Sequence, residues 1–125
     1  LGVVHAMAHS LGGWKDCAHG ECNAILLPIV MRYNRNAGLE EYAEAARRIP
    51  SIQADDASTE AADALIAAVE QLQRDLGVNV PLRNLGLTKE DLPTLVDLAF
   101  ADVCVVTNPR QPTRKDLENL YAQAL

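Results

Sequence analysis

Apolar side chains recur through residues 59–76 at the spacing of an amphipathic α-helix. One face of this segment carries Ala62, Leu65, Ile66, Val69, Leu72 and Leu76. Gly77 follows it and is suited to a left-handed helix end. Similar periodicity, with Gly and Pro between the segments, predicts helices at residues 3–11, 21–33, 39–49, 88–101 and 113–125. No stretch alternates as strands do in a Rossmann-type sheet, so the predicted fold class is all-α, a bundle of about six helices.

Local signals set the predicted helix boundaries. The Gly12-Gly13 pair favours a left-handed exit from the first helix, and Pro28 should kink the second. Residues 88–91 and 113–116 each place a Thr hydroxyl at an N-cap and an acid three residues later, as in a capping box. The apolar run in the second helix is also compatible with a strand, but its length and its Ala, Leu and Met content favour helix.

Two segments between these helices are predicted to be non-helical. Residues 51–58 are interpreted as a loop in which Asp55 and Asp56 face solvent. Residues 103–109 are predicted to be locally extended, and the Asn108-Pro109 pair to form a turn.

The composition excludes several classes of function. The chain has 125 residues, of which 49% are hydrophobic and 4% aromatic, so one aliphatic core in a single domain is expected. Its formal net charge of −6 argues against binding to nucleic acid or to an anionic membrane surface. No apolar run approaches the roughly 20 residues that span a bilayer. Three cysteines do not form a paired disulfide framework, which indicates a reducing, cytoplasmic setting.

The first residues resemble the middle of an element. Leu1 leads directly into a helix-like stretch without an N-cap residue. We therefore expect residues 1–125 to be a single helical domain that is truncated on its N-terminal side.

All three histidines lie near the start of the chain. His5 and His9 are four residues apart and therefore share a helix face, and the turn that follows can bring His19 back towards them. Imidazole is a common ligand of Zn²⁺ and Fe²⁺. From the spacing alone, two interpretations stay open: a metal site, or an incidental histidine pair on an Ala-rich helix.

A longer pattern surrounds these histidines. Residues 2–12 follow the form G-x-x-H-x-x-A-H-x-L-G, and residues 19–28 follow H-G-x-x-N-A-x-L-L-P. Together they resemble the signature of the iron-containing (group III) alcohol dehydrogenases, and the similarity continues to residues 107–110. The resemblance implies the C-terminal, metal-binding helical domain of that family, whose fold is dehydroquinate synthase-like. Where the family often has Pro before the second stretch, this chain has Ala18, which should loosen the loop.

The resemblance implies a role for each histidine. His5 and His19 match metal ligands, for Fe²⁺ or Zn²⁺. His9 matches a residue beside the nicotinamide and the substrate, which makes it the candidate catalytic and cofactor-contacting group, a proton relay. The family completes its metal site with an Asp and a His from an earlier helix and binds NAD(P) with an N-terminal domain. We expect both to lie outside this sequence.

Further candidates lie around the histidines. Trp14 could line a substrate pocket or only seal the loop, and Cys104 resembles a pocket-lining position of some family members. Cys17 and Cys22 flank His19 and could bind metal, although their spacing and the resemblance favour inert thiols.

Two functions of different class follow. The first is metal-dependent, NAD(P)-linked interconversion of an alcohol and an aldehyde, with the metal favouring the alkoxide; this chain alone is then expected to be inactive. The alternative is a non-catalytic helical module that lacks a complete site and could self-associate through exposed apolar surface as a homo-oligomer.

Overall fold

A computed structural model describes residues 1–53 and 57–125. The prediction that Asp55 and Asp56 face solvent lies outside these described residues, as does the centre of the predicted loop at residues 51–58.

Six α-helices form the fold, which confirms the all-α prediction. They are α1 (Gly2–Lys15), α2 (His19–Asn34), α3 (Leu39–Arg48), α4 (Ser58–Leu76), α5 (Leu92–Ala101) and α6 (Arg114–Ala124). Short 3₁₀ helices lie at Leu82–Leu85, Lys89–Asp91 and Val103–Thr107. The described ranges contain no β-strand.

The capping predictions hold for the later helices. Thr113 forms a capping box with Asp116 at the start of α6, and Thr88 forms one with Asp91 ahead of α5. Gly77 ends α4 with a φ of 69°, in the left-handed region that glycine adopts without strain.

The predicted end of the first helix is wrong. α1 continues through Gly12 and Gly13 to Lys15, and the left-handed residue is Asp16, with a φ of 54°. Glycine lowers helix stability only modestly, and contacts beyond the glycines retain the last turn. In particular, the indole of Trp14 donates a hydrogen bond to Asp91 at 2.8 Å.

The extended segment predicted at residues 103–109 is also wrong over most of its length. Val103–Thr107 forms a 3₁₀ helix, because the Asp102 carboxylate accepts the N–H of Cys104 at 2.8 Å and caps the turn. Asn108 then leaves the helix in an extended conformation.

The apolar stripe of α4 is buried only in its first half. Leu65 and Ile66 pack against α3, whereas Leu72 and Leu76 are 56% and 66% exposed. α4 has 19 residues and α3 has 10, so the last turns of α4 extend past its partner.

The main core forms around α1, which packs against α2, α5 and the 3₁₀ helix Val103–Thr107. Its fully buried members include Val3, Met7, Leu11, Leu26, Leu95, Leu117 and Tyr121. Tyr121 also donates a hydrogen bond to the carbonyl of Met7 at 3.0 Å, which joins α6 to α1. α1 is therefore packed on several sides, so the backbone that carries His5 and His9 is rigid.

Two buried amides anchor the start of α1. Asn34 and Asn108 exchange hydrogen bonds of 2.7 and 3.0 Å, and Asn108 Oδ1 also accepts the N–H of Val3 at 3.0 Å. Gly2 has a φ of 64°, and a Cβ there would lie 2.7 Å from Asn108 Oδ1. The anchor thus fixes the backbone one turn before His5.

None of the helices in the described part of the chain combines the length and hydrophobicity that a membrane crossing requires. Apolar side chains exposed at the surface include Leu72, Leu76, Leu98, Val103 and Val106. Self-association through such residues stays a prediction.

Candidate metal centre

The three histidine rings meet at one place between α1 and α2. His5 and His9 lie one turn apart on α1, with ring centroids 5.9 Å apart. His19 is the first residue of α2, and its ring centroid lies 5.5 Å from that of His5 and 5.3 Å from that of His9. The structure thus brings together the three imidazoles that the sequence proposed as one site.

A short connection makes this convergence possible. Asp16 leaves α1 in the left-handed conformation, and Ala18 is extended, so three residues reverse the chain before His19. α2 then packs back along α1. His19 therefore lies beside α1 at the level of His5 and His9, although it is the N-terminal residue of its helix.

The hydrogen bond of His5 fixes its proton. Nδ1 lies 3.2 Å from the carbonyl oxygen of Leu1. A carbonyl can only accept, so Nδ1 carries the hydrogen and the lone pair of the neutral ring is on Nε2. This is the arrangement in which metal-bound histidines are commonly held by the surrounding protein.

His19 has a different partner. Its Nε2 lies 3.1 Å from Nδ2 of Asn23, which also donates to the His19 carbonyl at 2.9 Å. The Oδ1 of Asn23 is buried and has no hydrogen-bond partner within the described residues. A cation bound through Nε2 of His19 would replace the Asn23 N–H, whereas one bound through Nδ1 would leave it in place.

His9 is held by a carboxylate that the sequence analysis missed. Its Nδ1 lies 2.9 Å from Oδ2 of Asp102, a residue 93 positions away. Burial raises the pKa of Asp102, but the hydrogen bonds from the Cys104 N–H and from His9 outweigh this effect and leave the pKa below its ordinary value. Asp102 belongs to no sequence motif. The only signal in the sequence was the position of this acid, directly after the predicted fifth helix and two residues before Cys104.

Cys104 lies beside this pair. It is 6% exposed, and its Sγ lies within 4.8 Å of the ligand atoms of His9 and Asp102. Burial and then Asp102 raise the pKa of the Cys104 thiol, which favours its protonated form. His9 and Asp102 already hydrogen-bond each other, which makes this group better suited to a hydrogen-bonded cluster than to a second metal site.

Trp14 lies further along α1. The residue is 47% exposed, and its indole nitrogen donates a hydrogen bond to Asp91. A shallow cleft of about 210 Å³ is lined by His9, Ser10, Gly13, Leu98 and Asp102. Trp14 follows Gly13 but is not among these lining residues.

The cysteines that flank His19 are free thiols. Burial, followed by the neighbouring Cys17, raises the pKa of Cys22 to about 12. Cys22 is fully buried, and with this pKa its thiol is protonated at neutral pH; that the two cysteines are inert towards metal stays a prediction.

The donor set fits a divalent transition metal. Neutral imidazole nitrogens suit Fe²⁺ and Zn²⁺ better than they suit Mg²⁺ or Ca²⁺, which prefer oxygen. His5 presents Nε2 with a defined lone pair, and the centroid of the His19 ring lies 5.5 Å from that of His5.

Comparison with known families decides the classification. The model of the Fe-containing alcohol dehydrogenase family, C-terminal, matches residues 1–125. The chain belongs to the iron-containing alcohol dehydrogenase family. Nothing in the comparisons favours a non-catalytic module over this assignment.

Members of the iron-containing alcohol dehydrogenase family resemble the chain over its whole length. Lactaldehyde reductase of Escherichia coli (strain K12) is 45% identical over 125 residues, which cover 99% of this chain and 32% of that protein. The NAD-dependent methanol dehydrogenase of Bacillus methanolicus is 32% identical, over 100% of this chain and 33% of that protein. The chain thus spans about a third of the length of these relatives.

A crystal structure of a 1,3-propanediol oxidoreductase has the same fold. The two superpose with a TM-score of 0.93 at 38% sequence identity, covering 100% of this chain and 33% of the other. The prediction of the helical C-terminal domain of iron-containing alcohol dehydrogenases is confirmed by this similarity.

Proposed function

We propose that this chain forms the metal-binding part of an NAD(P)-dependent dehydrogenase that interconverts a small alcohol and its aldehyde. His5 and His19 are the proposed ligands of Fe²⁺ or Zn²⁺, and His9 is the proposed proton relay. The observation that carries the proposal is the meeting of three imidazoles from two helices, with centroids between 5.3 and 5.9 Å apart.

The names of the relatives support this class of substrate and cofactor. They refer to lactaldehyde, 1,3-propanediol and methanol, and one states NAD dependence. A divalent metal in such a site polarises a substrate oxygen and stabilises the charge that develops on it. The nicotinamide would be bound mainly by a domain outside these residues, as the family resemblance implies.

The residues of this chain divide the remaining work. His9 is 42% exposed on its side chain and lies at the cleft formed with Ser10, Gly13 and Leu98. Its Nε2 can accept the hydroxyl proton of an alcohol, or return it to an aldehyde during reduction. Cys104 lies next to His9 and stays a candidate for the substrate pocket, and Trp14 stays a weaker one.

The cellular setting forms part of the proposal. Three free thiols and a nicotinamide-dependent reaction suit a reducing compartment, and we place the protein in the cytoplasm on that basis.

Metal analysis of histidine variants tests the ligand assignment. A longer, purified form that includes the expected upstream Asp and His ligands is loaded with Zn²⁺ or, without oxygen, Fe²⁺, and the metal retained after desalting is measured. We expect His5→Ala and His19→Ala each to lower the retained metal by at least tenfold, because removal of a ligand weakens binding by more than the roughly 10–100-fold effect of losing an orienting group. His9→Ala is the matched control and should retain metal.

Two results would contradict the assignment. Full metal content in both His5→Ala and His19→Ala would exclude these residues as ligands. Loss of metal from His9→Ala alone would move the site to His9. NADH-linked alcohol oxidation, measured with the chain and with a longer form that includes a nucleotide-binding domain, separates metal binding from turnover.

A further inference from the structure

The Asp102 carboxylate has a defined partner on each oxygen. Oδ1 accepts the N–H of Cys104 at 2.8 Å, and Oδ2 lies 2.9 Å from Nδ1 of His9. Because the first bond is made to the backbone of the 3₁₀ helix, it orients the carboxylate independently of His9. Asp102 is therefore a fixed acceptor at the edge of the histidine cluster.

A fixed acceptor determines which nitrogen of His9 carries the proton. An ionised carboxylate accepts hydrogen bonds and donates none, so the contact with Nδ1 requires an Nδ1–H. The lone pair of the neutral ring is then on Nε2. The same contact also limits rotation of the ring, which stacks against His19 with an interplanar angle of 21°.

We propose that Asp102 is the positioning residue of His9: it holds the Nδ1–H tautomer and thereby makes Nε2 the nitrogen that exchanges the substrate proton. This proposal rests on the proposed function of His9 as the proton relay. Carboxylates that orient a histidine and stabilise its cation act in this way in unrelated enzymes.

The proton balance follows from this arrangement. During alcohol oxidation the substrate O–H bond breaks and an Nε2–H bond forms on His9, while Nδ1–H stays bonded to Asp102. The transient imidazolium lies next to the carboxylate charge. Because the His9 side chain is 42% exposed, its Nε2 proton can then pass to water. In aldehyde reduction, the proton moves in the opposite direction.

The tautomer can be read directly by ¹⁵N NMR of the histidine side chains. Spectra are recorded at alkaline pH, where histidine side chains in general are neutral. For the unmodified protein we expect the Nδ1–H form of His9. In Asp102→Asn the amide oxygen can keep the Cys104 contact while the NH₂ group faces His9. A donor there favours the Nε2–H form, and we expect the tautomer ratio to change by roughly tenfold or more, as for loss of a hydrogen bond to a charged group.

Matched variants separate positioning from folding. Asp97→Asn makes the same change on α5 at an exposed carboxylate that pairs with Arg114, and should leave the His9 tautomer unchanged. Asp102→Ser retains a capping oxygen but withdraws it from His9, so it serves if Asp102→Asn is misfolded by circular dichroism. It should lose the preference for Nδ1–H.

The outcomes distinguish this proposal from the proposed function. An Nε2–H form of His9 in the unmodified protein, or an unchanged tautomer in folded Asp102→Asn and Asp102→Ser, would overturn the positioning role whatever the metal content. A normal tautomer together with full metal retention in both His5→Ala and His19→Ala would overturn the ligand assignment of those two residues instead. In a longer, active form, Asp102→Asn should lower kcat by roughly 10²–10⁴-fold with KM nearly unchanged. An equal loss in Asp97→Asn would contradict it.

Discussion

The indole nitrogen of Trp14 donates a hydrogen bond of 2.8 Å to the carboxylate of Asp91, 77 residues away. The same carboxylate accepts the backbone N–H of Thr88 at 2.9 Å and lies 3.2 Å from the ammonium of Lys15. The Asp91 side chain therefore joins the end of α1 to the start of α5. These donors, Trp14 first, lower the pKa of Asp91 to about 2 from an ordinary value of 3.8.

This lowered pKa predicts a pH-dependent stability difference for Asp91→Asn. The ionised form is favoured in the folded state, so its contribution is fully present above pH 3.8 and is lost as the pH falls towards about 2. We expect a lower Tm for Asp91→Asn near neutral pH and a gap to the unmodified protein that narrows over that acid window. Trp14→Phe removes the first donor and should move the Asp91 pKa upward in an NMR titration. A gap that stayed constant down to pH 2 would contradict the assignment.

The buried amide anchor predicts a large loss of stability for Asn108→Ala. The change leaves the Val3 N–H and the Asn34 amide without their partner. Each of the two unsatisfied buried groups costs about 1–3 kcal/mol, so we expect the free energy of unfolding in urea to fall by roughly 2–6 kcal/mol. Asn119→Ala, at an exposed site on α6, is the control and should change it by less than about 0.5 kcal/mol. Equal effects of the two variants would argue against the anchor.

We expect removal of the Tyr121 hydroxyl to lower the free energy of unfolding by less than Asn108→Ala does. The hydroxyl is fully buried and bonds to the carbonyl of Met7 across the α1–α6 contact. Tyr121→Phe keeps the ring and removes one hydrogen bond, which should lower the free energy of unfolding by about 0.5–1.5 kcal/mol. Tyr33→Phe removes a more exposed hydroxyl and should cost less. Chemical denaturation of both variants measures the difference, and a larger loss in Tyr33→Phe would oppose this view of the core.

We expect Gly77→Ala and Gly13→Ala to change the free energy of unfolding in opposite directions. Gly77 has a φ of 69°, and a Cβ at this position would have no atom within 4 Å. Gly77→Ala should therefore lower the free energy of unfolding through backbone strain alone, by about 1–2 kcal/mol. Gly13 lies inside α1 and is equally uncrowded. Gly13→Ala should therefore raise the free energy of unfolding by about 0.5–1 kcal/mol. If both alanines destabilised the protein, Gly13 would not be an ordinary helical position.

Much of the fold could be predicted because its signals are local. Capping depends on residues three positions apart, so the starts at Thr88 and Thr113 could be read from the chain alone. The Gly12-Gly13 pair gave a wrong end for α1 for the same reason. A local rule takes no account of the distant Asp91, which accepts a hydrogen bond from Trp14 in the last turn of α1. The exposed end of the α4 stripe, at Leu72 and Leu76, depended on the length of its partner α3.

The sequence by itself determined the helices, the aliphatic core and the three histidines that a signature placed in one short segment. The tertiary structure decided how far those rings approach one another and which residue holds His9. Asp102 lies 93 positions from His9, and no periodicity or spacing rule relates residues so far apart. Their contact exists because packing of α1 against α5 and the following 3₁₀ helix aligns one backbone N–H, one carboxylate and one imidazole. Such alignment is a property of the packed helices, and it could not be predicted from residue spacing in the sequence.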